Sequence, residues 1–318
     1  MRSEWSQIDL NLSIQLASRT PSGLLRLANP VMAASGTFGY GTEYAGLVDM
    51  GRLGAIVSKG ITLKPRPGNP QPRLAETPSG LLNSIGLENI GVEALIREKA
   101  PLWAEWPIPV IVNIAGESIE EYAELAQRLD GVPGVSGIEA NISCPNVRAG
   151  GMAFGTNPGA AAAVTEAVRT RTRLPVIVKL TPNVTDIVEI ARAVEGAGAD
   201  AITIANTFRG MAIDTLKRRP VLGNTFGGLS GPAIKPLALA LVYRAYGAVK
   251  VPIIGCGGIA SANDALEFLM AGASALQVGT STFTDPRTMA DIVEGLERFM
   301  EREGISDIRE IVGAAHGQ

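Results

Sequence analysis

Short apolar runs alternate along the chain with longer segments in which apolar residues recur every three or four positions. The short runs predict buried β-strands, whereas the longer segments predict amphipathic helices. The predicted strands begin at Val31, Gly54, Pro109, Gly137, Pro175, Asp200, Pro252 and Ser274. Helices are predicted between them at residues 119–129, 160–171, 186–195, 236–246 and 263–271. Because repeated strand–helix units build parallel sheets, these eight units predict a closed (β/α)8 TIM barrel of the α/β class.

The segment before the first predicted strand carries a strand pattern of its own. Apolar and polar residues alternate from Ile8 to Ile14, and a second apolar patch follows residues 21–23. This pattern predicts a short N-terminal β-hairpin that covers the floor of the barrel, the end at which its strands begin. No linker or low-complexity stretch divides the chain, so we expect residues 1–318 to form a single domain.

Composition and charge narrow the function classes. The formal net charge is −3, and no basic cluster suggests a surface for nucleic acid. Arg2, Glu4 and Asp9 interrupt the apolar residues at the N-terminus, so no signal-peptide core is predicted. No later apolar run is long enough to span a bilayer. We therefore expect a cytoplasmic protein with neither a nucleic-acid nor a membrane partner.

Cysteine and histidine are scarce. The two cysteines, Cys144 and Cys256, cannot supply the four ligands of a usual iron–sulfur cluster or structural zinc site. We therefore predict no metal site in this chain, and any such centre would belong to a partner. The one histidine, His316, lies in a terminal segment rich in glycine and alanine, which argues against a histidine-based mechanism.

Small or polar residues follow every predicted barrel strand. In barrel enzymes the active site is built at the carboxyl ends of the strands, so residues that follow them in phase predict a pocket. In strand order they are Ser35 and Gly36, Lys59 and Gly60, Asn113, the segment 141–146, Lys179, Asn206 and Thr207, Gly257 and Gly258, and Gly279 and Thr280.

The residue types at these positions favour a phosphorylated ligand with a polar heterocycle. Glycines after the last two strands, each followed by a helix, leave backbone N–H groups free to face a phosphate. Lys59 and Lys179 would hold an anion, stabilise negative charge on a flavin or form a Schiff base. The asparagines suit a ring with alternating carbonyl and N–H groups. Each type also has a structural interpretation: tight turns for glycine, the barrel rim for lysine and turn caps for asparagine.

Cys144 is the candidate catalytic base. It follows the fourth strand directly, between Asn141 and Asn146, and a glycine-rich stretch after it is typical of a closing loop. A thiol has an ordinary pKa of about 8.5, which neighbouring groups can lower into the range of a useful base. Cys256 is interpreted instead as a small packed residue beside the phosphate loop. A structural role for Cys144 is the alternative.

The chain resembles the class 1 dihydroorotate dehydrogenases, the FMN enzymes of pyrimidine (UMP) biosynthesis, and is most similar to the class 1B catalytic subunits. The motifs that carry the resemblance occur in order along nearly the whole chain. They lie at residues 29–39, 58–60, 83–87, 141–146, 179–183, 205–207, 227–232, 257–259 and 278–280.

The resemblance implies a role for each site residue. The FMN-binding positions would be Ser35, Lys59, Gly60, Asn113, Asn141, Lys179, Ala205, Gly231, Gly257, Gly258, Gly279 and Thr280. The substrate-binding positions would be Lys59, Asn83, Ser84, Ile85, Gly86, Leu87, Asn141, Asn206 and Thr207. Cys144 would remove the C5 proton of dihydroorotate while hydride leaves C6 for the flavin, which gives orotate.

The resemblance also implies partners. With cysteine rather than serine at position 144, the chain resembles the class 1 enzymes and not the membrane-bound class 2 enzymes. Class 1A enzymes are homodimers that reduce fumarate, whereas class 1B enzymes combine a homodimer core with an electron-transfer subunit in a heterotetramer. That subunit carries FAD and a 2Fe-2S cluster and passes electrons to NAD. Because this chain shows no dinucleotide fingerprint, use of NAD would require the partner.

Three other interpretations stay open. The flavin domain of dihydropyrimidine dehydrogenase has a similar cysteine loop, so the substrate would be uracil-like. A Schiff-base aldolase would use Lys179 in a phosphate-binding barrel without flavin. A barrel retained as a scaffold for a partner subunit would have lost both flavin and turnover.

Overall fold

The computed structural model describes residues 9–17, 25–143 and 154–317. Its strands are β1 Ile14–Ala17, β2 Leu25–Leu27, β3 Val31–Ala33, β4 Ala55–Val57, β5 Leu74–Thr77, β6 Gly80–Asn83, β7 Val110–Ile114, β8 Gly137–Asn141, β9 Val176–Lys179, β10 Ala201–Ile204, β11 Phe208–Gly210, β12 Ile213–Asp214, β13 Arg219–Pro220, β14 Gly227–Ser230, β15 Ile253–Cys256 and β16 Ala273–Val278. Its α-helices are α1 Val92–Glu98, α2 Ala100–Trp103, α3 Ile119–Leu129, α4 Pro158–Arg169, α5 Ile187–Gly196, α6 Lys235–Tyr246, α7 Ala262–Met270 and α8 Thr288–Glu303.

Eight parallel strands close into a barrel. Their order around the ring is β3, β4, β7, β8, β9, β10, β15 and β16, and Leu276 of β16 pairs with Val31 of β3 to close it. Each barrel strand begins within one residue of the position predicted from the sequence. The predicted (β/α)8 fold is therefore confirmed.

The barrel strands are buried on both faces, which explains their continuous apolar runs. Every residue of β3, β4, β7, β8, β9, β10 and β15 is buried. The helices around them are amphipathic, as in α3, where Leu125, Ala126 and Leu129 face the core. The α3 helix begins after Ser118, whose hydroxyl accepts a hydrogen bond from the backbone N–H of Glu121. Among the described residues, no helix is long and apolar enough to cross a membrane.

The predicted N-terminal hairpin is also confirmed. Strands β1 and β2 pair in antiparallel fashion, and Leu16 and Leu27 on them are fully buried. A Cβ atom built on Gly137, the first residue of β8, would lie 3.6 Å from Leu25 Cδ2. The hairpin therefore packs against the ends at which the barrel strands begin.

Two insertions at the opposite end of the barrel form an additional sheet, which we call the mouth sheet. Strands β5 and β6 lie in the connection after β4, and β11 and β14 lie in the connection after β10. They pair in the order β11-β14-β6-β5, all antiparallel. Because both connections leave the carboxyl ends of barrel strands, the mouth sheet lies at the end of the barrel where the predicted pocket opens. The mouth sheet was not predicted from the sequence.

Candidate active site

A cluster of polar side chains fills the barrel just beneath its mouth. Its centre is Glu139 of β8, whose side chain is fully buried. Asn113 Nδ2 donates to Glu139 Oε1 at 2.7 Å, and Thr203 Oγ1 and Gln277 Nε2 donate to Glu139 Oε2 at 2.8 and 2.5 Å. Lys179 Nζ lies 3.9 Å from Glu139 Oε1 and donates to Gln277 Oε1 at 2.8 Å. These donors stabilise a negative charge that would otherwise be costly to bury.

Lys179 carries the matching positive charge. Burial lowers the pKa of its ammonium, but the neighbouring Cys256 sulfur and Glu139 carboxylate raise it, and the net direction is upward. Burial raises the pKa of the Cys256 thiol, with Lys179 opposing, and Glu139 is the carboxylate that lies beside the ammonium. A protonated amine cannot form a Schiff base, so this environment argues against the aldolase interpretation. With 4% of its surface exposed, Lys179 is not a lysine of the barrel rim.

Asn113 presents an unused acceptor. Its Oδ1 atom is buried and has no hydrogen-bond partner among the described residues. A Cβ atom built on Gly60 would lie 2.9 Å from this oxygen, so a side chain at position 60 would cover it. An orphaned buried acceptor beside a glycine fits a ligand that carries an N–H or hydroxyl group.

Asn141 and Asn206 meet across the mouth through Ser143. Ser143 Oγ donates to Asn141 Oδ1 at 2.5 Å, and Asn206 Nδ2 donates to Ser143 Oγ at 2.5 Å and to Asn141 Oδ1 at 3.3 Å. The backbone oxygen of Asn141 accepts from the Tyr122 hydroxyl at 2.7 Å. The two predicted substrate-binding amides are thus each held in one orientation, and Ser143, which links them, directly precedes position 144 in the chain. Cys144 and Asn146 themselves lie outside the described residues.

The predicted phosphate side comprises the loops after β15 and β16, and the loop after β14 lies beside it. Gly231 and Thr280 are in contact range, since a Cβ on Gly231 would lie 3.6 Å from Thr280 Cγ2. Gly258 has a φ of +80°, and a Cβ there would lie 2.7 Å from the backbone nitrogen of Lys235. Ser281 Oγ donates to the backbone oxygen of Ile259 at 3.0 Å, which ties the two last loops together.

A cavity of about 760 Å³ opens beside these loops, lined in part by Gly80, Pro232, Ser261, Thr280 and Ser281. Its lining does not include Asn141 or Lys179. The cavity therefore extends outward from the phosphate side and is not the centre of the site.

Five other predicted cofactor positions lie at the ends of barrel strands. Ser35 and Lys59 are half-buried after β3 and β4, and the Lys59 backbone N–H donates to Gly39 O at 2.8 Å. The backbone N–H of Ala205 donates to Cys256 O at 2.9 Å. A Cβ on Gly279 would lie 3.5 Å from Ala34 Cβ, which brings the loop after β16 next to Ser35. The Gly257 backbone, with a φ of +131°, packs near Ala238 of α6.

The predicted substrate segment 83–87 follows β6 of the mouth sheet. Asn83 Nδ2 donates to Gly228 O at 3.2 Å, and the Ser84 hydroxyl is within hydrogen-bond distance of Asn69 Nδ2 at 3.1 Å. Gly86 and Leu87 both have positive φ. The Leu87 side chain reaches the strand ends, since its Cδ2 would lie 3.4 Å from a Cβ on Gly60.

Ile85 completes this segment, and its backbone oxygen accepts from the Asn69 N–H at 3.0 Å. Thr207 lies close to the mouth sheet, because a Cβ on Gly228 would clash with its hydroxyl. The fold thus brings two of the four sections of the predicted substrate site, 83–87 and 206–207, to the mouth sheet.

Sequence reasoning missed three polar residues of the site, Glu139, Thr203 and Gln277, and it gave Ser143 in the predicted segment 141–146 no role of its own. The signal was present for Glu139 and Gln277, because a charged or amide side chain inside an apolar strand is unusual. What was not predictable was that the three strands point them at one another. Among the described residues, no cluster of histidine, cysteine and acidic side chains could hold a metal ion.

Comparison with known proteins gives one consistent result. The family model described as dihydroorotate dehydrogenase matches residues 20–300. The chain is 58% identical over 307 residues to the protein named "Dihydroorotate dehydrogenase B (NAD(+)), catalytic subunit" of Desulforamulus reducens, covering 96% of this chain and 99% of that one. Proteins with the same name from Trichlorobacter lovleyi and Geotalea uraniireducens are 57% and 54% identical, over 93% and 96% of this chain and 97% and 98% of theirs.

Proposed function

Because the chain belongs to the dihydroorotate dehydrogenase family, a family of flavin-dependent oxidoreductases, we propose that it oxidises dihydroorotate to orotate on bound FMN. The observation that carries this proposal is the convergence of Asn113, Lys179 and Asn141 at one barrel mouth. There a buried cation, an unused acceptor and a fixed amide lie within one cluster of strand ends. Such groups suit a planar, electron-accepting heterocycle.

The twelve positions named above would hold FMN. Lys179, Asn113 and Gly60 would meet the ring system, and Gly231, Gly258 and Thr280 would lie toward its phosphate. Bound FMN would supply the hydride acceptor. Lys179 would stabilise the negative charge that arrives with the hydride, and its raised pKa keeps it protonated for that task.

Dihydroorotate would be held by Lys59, the segment 83–87, and the amides of Asn141, Asn206 and the neighbouring Thr207. The Ser143 hydroxyl accepts from Asn206 and donates to Asn141, so it fixes which end of each amide faces the substrate. Cys144 would take the C5 proton on its sulfur, because it follows this network directly in the chain.

The electron acceptor would be NAD, reached through a partner subunit that carries FAD and a 2Fe-2S cluster. The names of the relatives support this, since each is the catalytic subunit of an NAD(+) enzyme. We propose a homodimer core with that subunit in a heterotetramer in the cytoplasm, each chain contributing a single FMN domain. A fumarate-reducing homodimer is the competing outcome.

The test is anaerobic reduction of the purified, flavin-loaded protein. Dihydroorotate should bleach the visible flavin absorbance, whereas dihydrouracil should not, and the reverse preference would overturn the orotate assignment. A colourless protein that borohydride traps on a carbonyl substrate would instead favour the aldolase. Addition of NAD or fumarate to the reduced protein, with and without copurified partner, then distinguishes the two classes of acceptor.

A further inference from the structure

Glu139 is a buried carboxylate for which the proposed reaction has no direct task. It lies in the middle of β8 with its side chain fully buried, two residues before Asn141. Burying a carboxylate costs free energy that hydrogen bonds and nearby charges offset only in part, and apolar side chains of similar volume are often at least as stable. Stability of the barrel therefore does not explain a glutamate at this position.

Hydrogen-bond direction in the cluster follows from the carboxylate. Since a carboxylate only accepts, Asn113 and Gln277 turn their NH2 groups toward Glu139. The other end of Gln277 is then its oxygen, which accepts from the Lys179 ammonium. The other end of Asn113 is also its oxygen, the buried atom that has no partner among the described residues.

The charge of Glu139 acts on Lys179 as well. Lys179 is surrounded by Glu139 from β8, Cys256 from β15 and Gln277 from β16. Gln277 carries no charge, so the Cys256 sulfur and the Glu139 carboxylate are the groups that offset the burial of the ammonium, and Glu139 is the carboxylate among them.

We propose that Glu139 is a positioning residue of the flavin site, which holds the Lys179 ammonium and turns the Asn113 oxygen toward the cofactor. This inference rests on the proposed function. Glu139 reaches the flavin only through these two side chains. It thereby controls how tightly the oxidised and reduced cofactor are bound, and so the midpoint potential.

The test is Glu139→Gln, which keeps the volume and removes the charge. The pKa of Lys179 is raised in the native protein, so its ammonium persists as pH rises through neutrality. Without Glu139 one of the groups that raise this pKa is lost while burial still lowers it, so the pKa falls and the ammonium is lost at lower pH. We expect FMN binding to the apo-protein to weaken about ten- to hundred-fold, because a buried charged network loses one partner. We also expect a new pH dependence of affinity and midpoint potential on the alkaline side of neutrality.

Thr203→Val is the matched control. It removes one hydrogen bond from the same carboxylate in an adjacent buried position but leaves the charge in place. We expect Thr203→Val to lower the free energy of unfolding. It should not introduce the new pH dependence of FMN affinity and midpoint potential. Gln277→Met is the second test if Glu139→Gln does not fold: it cuts the link from Glu139 to Lys179 and should weaken FMN binding in the same direction.

Unchanged FMN affinity, midpoint potential and pH profile in Glu139→Gln would overturn the inference, as would identical profiles for Glu139→Gln and Thr203→Val. If Glu139→Gln does not fold, unchanged FMN affinity in Gln277→Met would overturn it too. The wild-type protein separates this failure from failure of the proposed function. If the native protein binds FMN and is reduced by dihydroorotate, but Glu139→Gln and Thr203→Val show the same FMN affinity and pH profile, only the role of Glu139 is wrong.

Discussion

Single side chains at the barrel mouth are held by hydrogen bonds that leave one functional end free. Asn113 gives its NH2 group to Glu139 and leaves its oxygen open. Asn141 accepts at its oxygen from Ser143 and Asn206, which leaves its NH2 group without an acceptor among the described residues. A ligand therefore meets groups whose orientation is already set, which lowers the entropy lost on binding.

Cys144→Ala should retain FMN and lose turnover. Removing a general base typically costs about 10² to 10⁴-fold in rate, because the proton then has no positioned acceptor. The measurement is the rate of flavin reduction by dihydroorotate in a single turnover. Cys256→Ala is the control, since burial keeps that thiol neutral, and it should keep more of its rate. Wild-type rates in Cys144→Ala would remove this residue from the mechanism.

Ser143→Ala should affect substrate binding more than chemistry. The hydroxyl links Asn141 and Asn206, and without it both amides lose a partner and can rotate. Loss of such a link typically costs about 1 kcal/mol, so the KM for dihydroorotate should rise by about five- to ten-fold. Steady-state kinetics separates KM from kcat. An unchanged KM would show that the Ser143 link does not hold the substrate amides.

At the scale of the element, the loop after β15 combines a tight backbone with a helix start. The loop from β15 to α7 contains Gly257 and Gly258, both with positive φ, and α7 begins after Ser261, whose hydroxyl accepts from Asp264 N–H. Glycine is needed at Gly258 for two reasons: its φ of +80° and its approach to the backbone of Lys235. Backbone N–H groups in this loop would then face the phosphate.

Gly258→Ala should weaken FMN binding and destabilise the loop. A non-glycine residue at positive φ costs about 1–3 kcal/mol, and the added Cβ would displace Lys235 at the start of α6. The measurements are FMN affinity and the rise in Tm on addition of FMN. Gly196→Ala is the matched control, because that residue ends α5 with nothing within 4 Å of an added Cβ. Equal FMN affinity in both variants would contradict a phosphate site here.

At the scale of the whole molecule, the insertions at the mouth leave apolar side chains in solvent. Leu216, in the turn between β12 and β13, is 94% exposed, and Ile213 and Phe226 are also exposed. Exposed apolar groups of this kind are typical of protein interfaces. The ribbon β12–β13 leaves the same connection as β11 and β14, so a partner bound there would lie near the proposed flavin.

Leu216→Glu should weaken assembly with the partner subunit. A charge in place of an exposed apolar anchor must be desolvated on binding, which opposes association. Light scattering of the copurified complex should show a lower mass and NAD reduction should fall, while flavin reduction by dihydroorotate persists. Leu102→Glu is the control, because Leu102 is also exposed but lies on α2 and not on the β12–β13 ribbon. If both variants assemble like wild type, this ribbon is not the interface.

Prediction from the hydrophobic pattern was most successful for the barrel strands, in which apolar residues follow one another. The strand starts agree within one residue because a strand buried on both faces must be apolar throughout. The mouth sheet was missed because its strands carry a mixed pattern with glycine and polar residues, as in Gly227–Ser230. Such strands form because β6 pairs with β14, about 145 positions further along the chain. That pairing is not a local property.

The sequence by itself determined the barrel, because the period of the apolar residues sets the elements and parallel strands bring their carboxyl ends to one mouth. It also determined which reactive side chains follow the strands. Only the tertiary structure decided how those side chains are oriented and charged. Glu139, Thr203 and Gln277 come from three strands and meet by virtue of barrel closure, and hydrogen-bond direction depends on that contact in space.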